Sequence, residues 1–198
     1  MPTVNCFDPW RSAFLNVVQE PEVAAPLKTA SLAEDLKTWT SCLTSAVVAS
    51  CRQLGWLAAA KGHRLDELPQ PGQEYLSMDV MAFPSSPAAG RWRLPIAAFE
   101  LENHRTDDRV GYSLWKVLCL RTDLRVVFAF RRDWEESRRS VDAIGRDVIG
   151  SLTVPERMAV NGETALIIGN RGDGETFPWG YFKIWLLDTN VGRFEKIS

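Results

Sequence analysis

Histidine is nearly missing from this chain, which has only His63 and His104. The four cysteines, Cys6, Cys42, Cys51 and Cys119, form no Cys-x-x-Cys pair. These shortages argue against a closed zinc site, which draws its ligands from clustered Cys and His. Thiols so scattered read as free cysteines of a reducing compartment. No apolar run approaches the roughly 20 residues needed to cross a bilayer, and no basic-then-apolar leader opens the sequence. The expectation is a cytoplasmic protein without membrane contact. Walker and dinucleotide glycine motifs are absent, as is a Gly-x-Ser-x-Gly elbow. His63, His104 and Ser113 have no acid placed in sequence to complete a triad. Kinases, serine hydrolases and oxidoreductases are disfavoured on these grounds. Positive charge is not in excess either. Lys and Arg number 23 against 25 Asp and Glu, so no global basic field advertises a polyanion partner.

What is present suffices for one domain, since 198 residues at 45% hydrophobic content can bury a sizeable core. Residues 1–30 read as an arm punctuated by Pro2, Pro9, Pro21 and Pro26. Its Trp10, Phe14, Leu15 and Val18 form a short apolar helical patch, suited to docking on the body or to holding a partner. Residues 31–198 read as a single domain. A long helix is expected from Ser31, where Ser31-Leu-Ala-Glu34 matches a capping box. Leu32, Leu36, Trp39, Leu43, Val47, Leu54 and Leu57 recur at helical spacing up to the stop at Lys61-Gly62. Strands are expected over 75–83, 95–103, 124–130, 164–168 and 181–187, and helices over 106–120 and 133–149. Residues 84–90, rich in proline and serine, read as the turn or loop of an antiparallel pair. The order strand, helix, strand after residue 95 implies a crossover and a parallel pair. The fold class is α/β, with a mixed central β-sheet flanked by helices.

The chemistry concentrates in 75–103. On a strand, alternate side chains share a face. Asp79 then lies with Met81 and Phe83, and Glu100 and Glu102 lie with Ile96 and Ala98. If these faces coincide, three carboxylates converge, and such a cluster is stable only around a cation. Hard oxygen ligands suit Mg2+ or Mn2+. The alternative is a solvated face, with Asp79 capping a turn and the glutamates paired to Arg91 or Arg93. Arginines crowd the middle of the chain. Among them, Arg131 and Arg132 follow a central strand and are placed to touch phosphate, although a solvated surface also accounts for them. Trp92 and Trp179, beside loops, are placed to stack on a base.

The order of elements, with Asp79 in one strand and Glu100-Leu101-Glu102 in the next, resembles the PD-(D/E)XK nuclease superfamily, the restriction-endonuclease-like fold. That resemblance covers about 31–150. There, an Asp near the start of one strand is followed by acid-x-Lys on the next, then a helix and a strand. Glu102 stands where the family has Lys, and Met78 where it has Pro. Lys116, on the following helix, resembles the relocated lysines of some branches, and Tyr112 resembles a helical residue used beside the metal. The resemblance implies a Mg2+-dependent nuclease on DNA, with Asp79, Glu100 and Glu102 as metal ligands and Lys116 and Tyr112 assisting. It equally allows an inactive member that binds nucleic acid or serves as an assembly module. Nucleases that cut both strands often act as homodimers.

Overall fold

The computed structural model describes residues 5–85 and 90–197. At its centre lies β4 (Leu124–Arg131), all eight of whose residues are buried. Its alternation feeds two apolar layers. Val126, Phe128 and Phe130 enter one, and Val127 and Ala129 the other. This is why the run reads as almost all apolar, with Arg125 and Arg131 the exceptions.

Seven strands form one mixed sheet in chain order. β1 (Leu57–Ala60), β2 (Val80–Phe83) and β3 (Ala97–Leu101) pair antiparallel. β3, β4 and β5 (Glu163–Asn170) run parallel. β6 (Phe182–Asp188) and β7 (Arg193–Ile197) return antiparallel. α1 (Phe7–Val17), α2 (Pro21–Leu32) and α3 (Leu36–Gln53) pack together over one face of the sheet. α4 (Asp107–Leu118) and α5 (Trp134–Ile144) are the crossovers between the parallel strands and cover the other face. α5 runs on into a π-helical turn, Gly145–Ile149, and a short α6 (Val154–Met158) precedes β5. No helix among the described residues is long and apolar enough to cross a membrane.

The expected helix from Ser31 is corrected. Ser31 is buried near the end of α2, and Glu34 takes φ 54, which breaks the run. Asp35 caps α3 instead, accepting from the Thr38 N–H at 3.1 Å. An Asp cap competes well with a Ser one, and here it wins by one turn. The same helix was expected to continue to Lys61. It stops at Gln53 because Gly55 turns the chain at φ 72, a conformation glycine tolerates. Leu57-Ala-Ala-Ala60 then pairs with β2, so sheet hydrogen bonding overrides alanine's helical preference. The polar tail also joins the sheet, as edge strand β7. Its charged alternation hides it from a hydrophobic reading but suits an exposed edge. Of the expected loop over 84–90, residues 86–89 lie outside the described residues.

The N-terminal patch is core. Trp10 is fully buried, with its ring centroid 5.1 Å from Phe99 and 5.3 Å from Phe14. Glu163, at the start of β5, accepts from the Cys6 and Phe7 N–H groups at 2.7 and 2.8 Å. A distant carboxylate thus satisfies amides that α1 leaves open at its N-terminus. Replacing Trp10 with Ala should cost about 3–5 kcal/mol of unfolding free energy in urea titration. A loss below about 1 kcal/mol would mean that α1 sits on the core without completing it.

Candidate functional site

The hydrogen-bond ladder between β2 and β3 has Val80 opposite Phe99. Beyond that pair, side chains replace backbone carbonyls. The Leu101 N–H donates to Asp79 Oδ2 at 2.7 Å, and the Asp79 N–H donates to Glu100 Oε1 at 3.3 Å. The cause is the chain ahead of β2. Leu76 and Ser77 take φ 53 and 55, so residues 75–78 turn away instead of pairing. Asp79 is therefore not inside a long strand, as expected over 75–83, but at the lip of a short one. Glu100 is 5% exposed. That burial removes the solvated-face reading for this residue.

Lys116 arrives from the last turn of α4. Its Nζ lies 2.8 Å from Glu100 Oε2 and donates to the Ser77 carbonyl at 2.7 Å. One ammonium thus ties the turn, the strand and the crossover helix together. Burial pushes the Glu100 carboxyl up to about 6, and the Asp79 charge adds to this against the Lys116 hydrogen bond. Burial also raises Asp79, partly offset by the Leu101 N–H and Lys116, while Glu102 and Glu74 push it further up. Lys116 pairs with Glu100 and favours the charged form of both carboxyls, while Glu102 and Glu74 act through space on Asp79.

The other expected site residues fall differently. Glu102 leaves the end of β3, and its carboxylate accepts from the His104 N–H at 2.8 Å. The expected cluster of three acids is not formed. Among the described residues, no group of three His, Cys, Asp or Glu is arranged to hold a metal ion. Tyr112 is 56% exposed and its ring stacks on Trp115, so it does not close over the acid pair. Arg131, expected to meet phosphate, is 2% exposed. It is spent on Asp107, Ser140 and the Phe130 carbonyl. Arg132 is exposed, at 3.5 Å from Glu136. Trp92 and Trp179 project into solvent.

In a divalent-cation site Asp79 and Glu100 would be the carboxylates, and three of their four oxygens are already engaged, by the Leu101 and Asp79 N–H groups and by Lys116. Mg2+ is commonly held by one or two carboxylates, with water and substrate oxygens filling the other positions. A sequence reading missed the Ser77 carbonyl and the charge of Glu74, because both depend on the turn at 76–77. It also missed Glu34 as the common partner of Arg105 and Arg171, contacts that span 71 and 137 residues and leave no local signature.

A carboxyl raised by burial binds its proton more tightly in the folded protein than in the unfolded chain. Its contribution to stability is then complete below the ordinary value of 4.5 and is lost as pH rises through about 6. Asp79 shifts the same way. In chelator, unfolding free energy should fall on the order of 2 kcal/mol across that window, and Glu100→Gln should remove most of the slope. Equal slopes in both proteins would contradict the burial of a strained acid. A scan against family models and searches of curated proteins and of solved structures found no match to this chain.

Proposed function

We propose that the protein is a Mg2+-dependent nuclease that hydrolyses DNA phosphodiester bonds, built on a restriction-endonuclease-like core. The observation that carries this is the facing pair Asp79 and Glu100 with Lys116 bound to Glu100. The surrounding order supports it. Helix α3 leads into the antiparallel strands β1 to β3, Asp79 precedes β2 and Glu100-Leu101-Glu102 ends β3, then α4 and parallel β4 follow. This is the arrangement that the resemblance to the PD-(D/E)XK superfamily implies, with the lysine moved to the crossover helix.

Asp79 and Glu100 would hold Mg2+ or Mn2+, which when bound offsets phosphate charge and makes water easier to deprotonate. The protein's own groups do the rest. Lys116, with a side chain 23% exposed, is positioned to donate to a phosphoryl oxygen as charge develops there. Glu102, held by a backbone N–H of its own loop, is free to orient the attacking water and take its proton. The water oxygen bonds to phosphorus as the bond to the departing sugar oxygen breaks, and that oxygen leaves with a proton from solvent. Tyr112 has no part in this sequence of events.

A second reading has its own observation. Asp79 and Glu100 both accept backbone N–H groups, and Lys116 binds a carbonyl, so all three also close the end of the sheet. On that reading the domain is inactive and serves as a nucleic-acid-binding or assembly module. Supercoiled plasmid and single-stranded DNA, assayed with Mg2+ and with Mn2+, separate the two. Asp79→Ala and Lys116→Met should each lower the cleavage rate by about a hundredfold to a thousandfold. No cleavage by the wild-type protein of either substrate, or equal rates in Asp79→Ala, would favour the module.

A further inference from the structure

A separate cleft of about 340 Å3 opens between α4 and the π-helical turn. Its lining includes Asp107, Asp108, Asp147, Tyr112 and Trp115, and among the described residues no basic side chain faces it. Tyr112 and Trp115 are 56% and 51% exposed, and their rings stack with centroids 6.0 Å apart and planes 30° apart. Two large rings held half in water by one helix are an unusual use of aromatic surface, since such side chains dominate the energetics of cores and interfaces. Gly111 forms the floor. A Cβ there would come 3.3 Å from Val148 Cγ2, so the missing side chain lets α4 and the π turn approach closely.

The carboxylates are only partly committed. Asp107 uses Oδ1 for Arg131 and Ser140. Asp147 has an exposed contact to Arg146 at 3.1 Å, a type of pair that adds little. Asp108 makes no ion pair among the described residues. Electron-rich ring faces beside acids attract a cation and repel phosphate. The volume is near the small end for ligand sites and accommodates one long side chain. A guanidinium suits it best, because it stacks on a ring and forks to a carboxylate at once.

We infer that this cleft receives an arginine side chain from a partner polypeptide. Charge complementarity selects that occupant, and the acids exclude a nucleic-acid strand. The proposal is independent of the nuclease reading, since Asp79, Glu100 and Lys116 take no part in it.

The test titrates the full chain with the peptide acetyl-(Gly-Arg)4-amide and with its citrulline analogue, which keeps the shape and removes the charge. The indole N–H resonance of Trp115 is followed by NMR. The arginine peptide should move that resonance, and the citrulline peptide should bind at least about fivefold more weakly. Asp108→Asn combined with Asp147→Asn, both at exposed positions, should weaken the arginine peptide to a similar degree while the other indole signals stay in place. Trp115→Ala should cost about two- to fivefold, read from the remaining shifts. Equal affinity for the two peptides, no movement of Trp115, or indifference to the double Asn variant would overturn the proposal. So would octathymidylate moving Trp115 where the arginine peptide does not, since the rings would then be a stacking platform for bases.

Discussion

Two carboxylates exchange hydrogen bonds with the backbone at the open end of the β2–β3 ladder, and the local architecture follows from that exchange. The turn at Leu76 and Ser77 denies β3 a partner on its β2 side beyond Phe99, while β4 stays paired with it through Leu101. Asp79 then supplies the acceptor that the Leu101 N–H would otherwise lack, and Glu100 does the same for the Asp79 N–H. An unmet buried N–H costs roughly 1–3 kcal/mol, so these contacts are worth keeping on structural grounds alone. Their drawback is charge. Burial raises both carboxyls, and a single lysine opposes them. The same arrangement that closes the sheet therefore keeps two acids and one lysine together at its lip.

The layering explains why Lys116 is the residue that answers. The connection from β3 to β4 must cross over, and its helix covers the sheet face that Glu100 shares with Met81 and Val127. A long side chain in the last turn of α4 reaches back to the lip of the sheet, where Glu100 Oε2 and the Ser77 carbonyl converge. On the opposite face, α1 to α3 pack Trp10, Phe14 and Trp39 against Phe99, Phe128 and Phe130. That layer is mainly apolar, with the buried Trp39 Nε1–H donating to the Tyr181 hydroxyl at 2.8 Å, while the opposite layer carries the candidate chemistry.

Much of this was legible in the residues, for identifiable reasons. β4 declared itself by a run that is apolar but for Arg125, and α4 and α5 by their stripes and acidic first turns. Strand alternation brought Asp79 and Glu100 together in the expectation, and hydrogen bonds between side chain and backbone join them in the structure, although Asp79 lies just ahead of a strand much shorter than expected. What stayed hidden depended on long-range geometry. The left-handed turn at 76–77 has no glycine to mark it. β1 reads as helix because alanine prefers helix, and only pairing with β2 overrides that. Glu102 faced the acids by alternation, yet β3 ends at Leu101, and past that point strand alternation no longer governs direction. Arg131 proved to be the last residue of the central strand, and Asp107 and Ser140, 24 and 9 residues away, took its donors.

Binding of Mn2+ to the chelator-treated protein, followed by electron paramagnetic resonance at neutral pH, addresses the central claim most directly. One bound ion per chain is expected, abolished by Glu100→Gln and by Asp79→Asn while the far-ultraviolet circular dichroism is unchanged. No binding by the wild-type chain, or binding that survives both substitutions, would mean that the two acids serve only to finish the sheet.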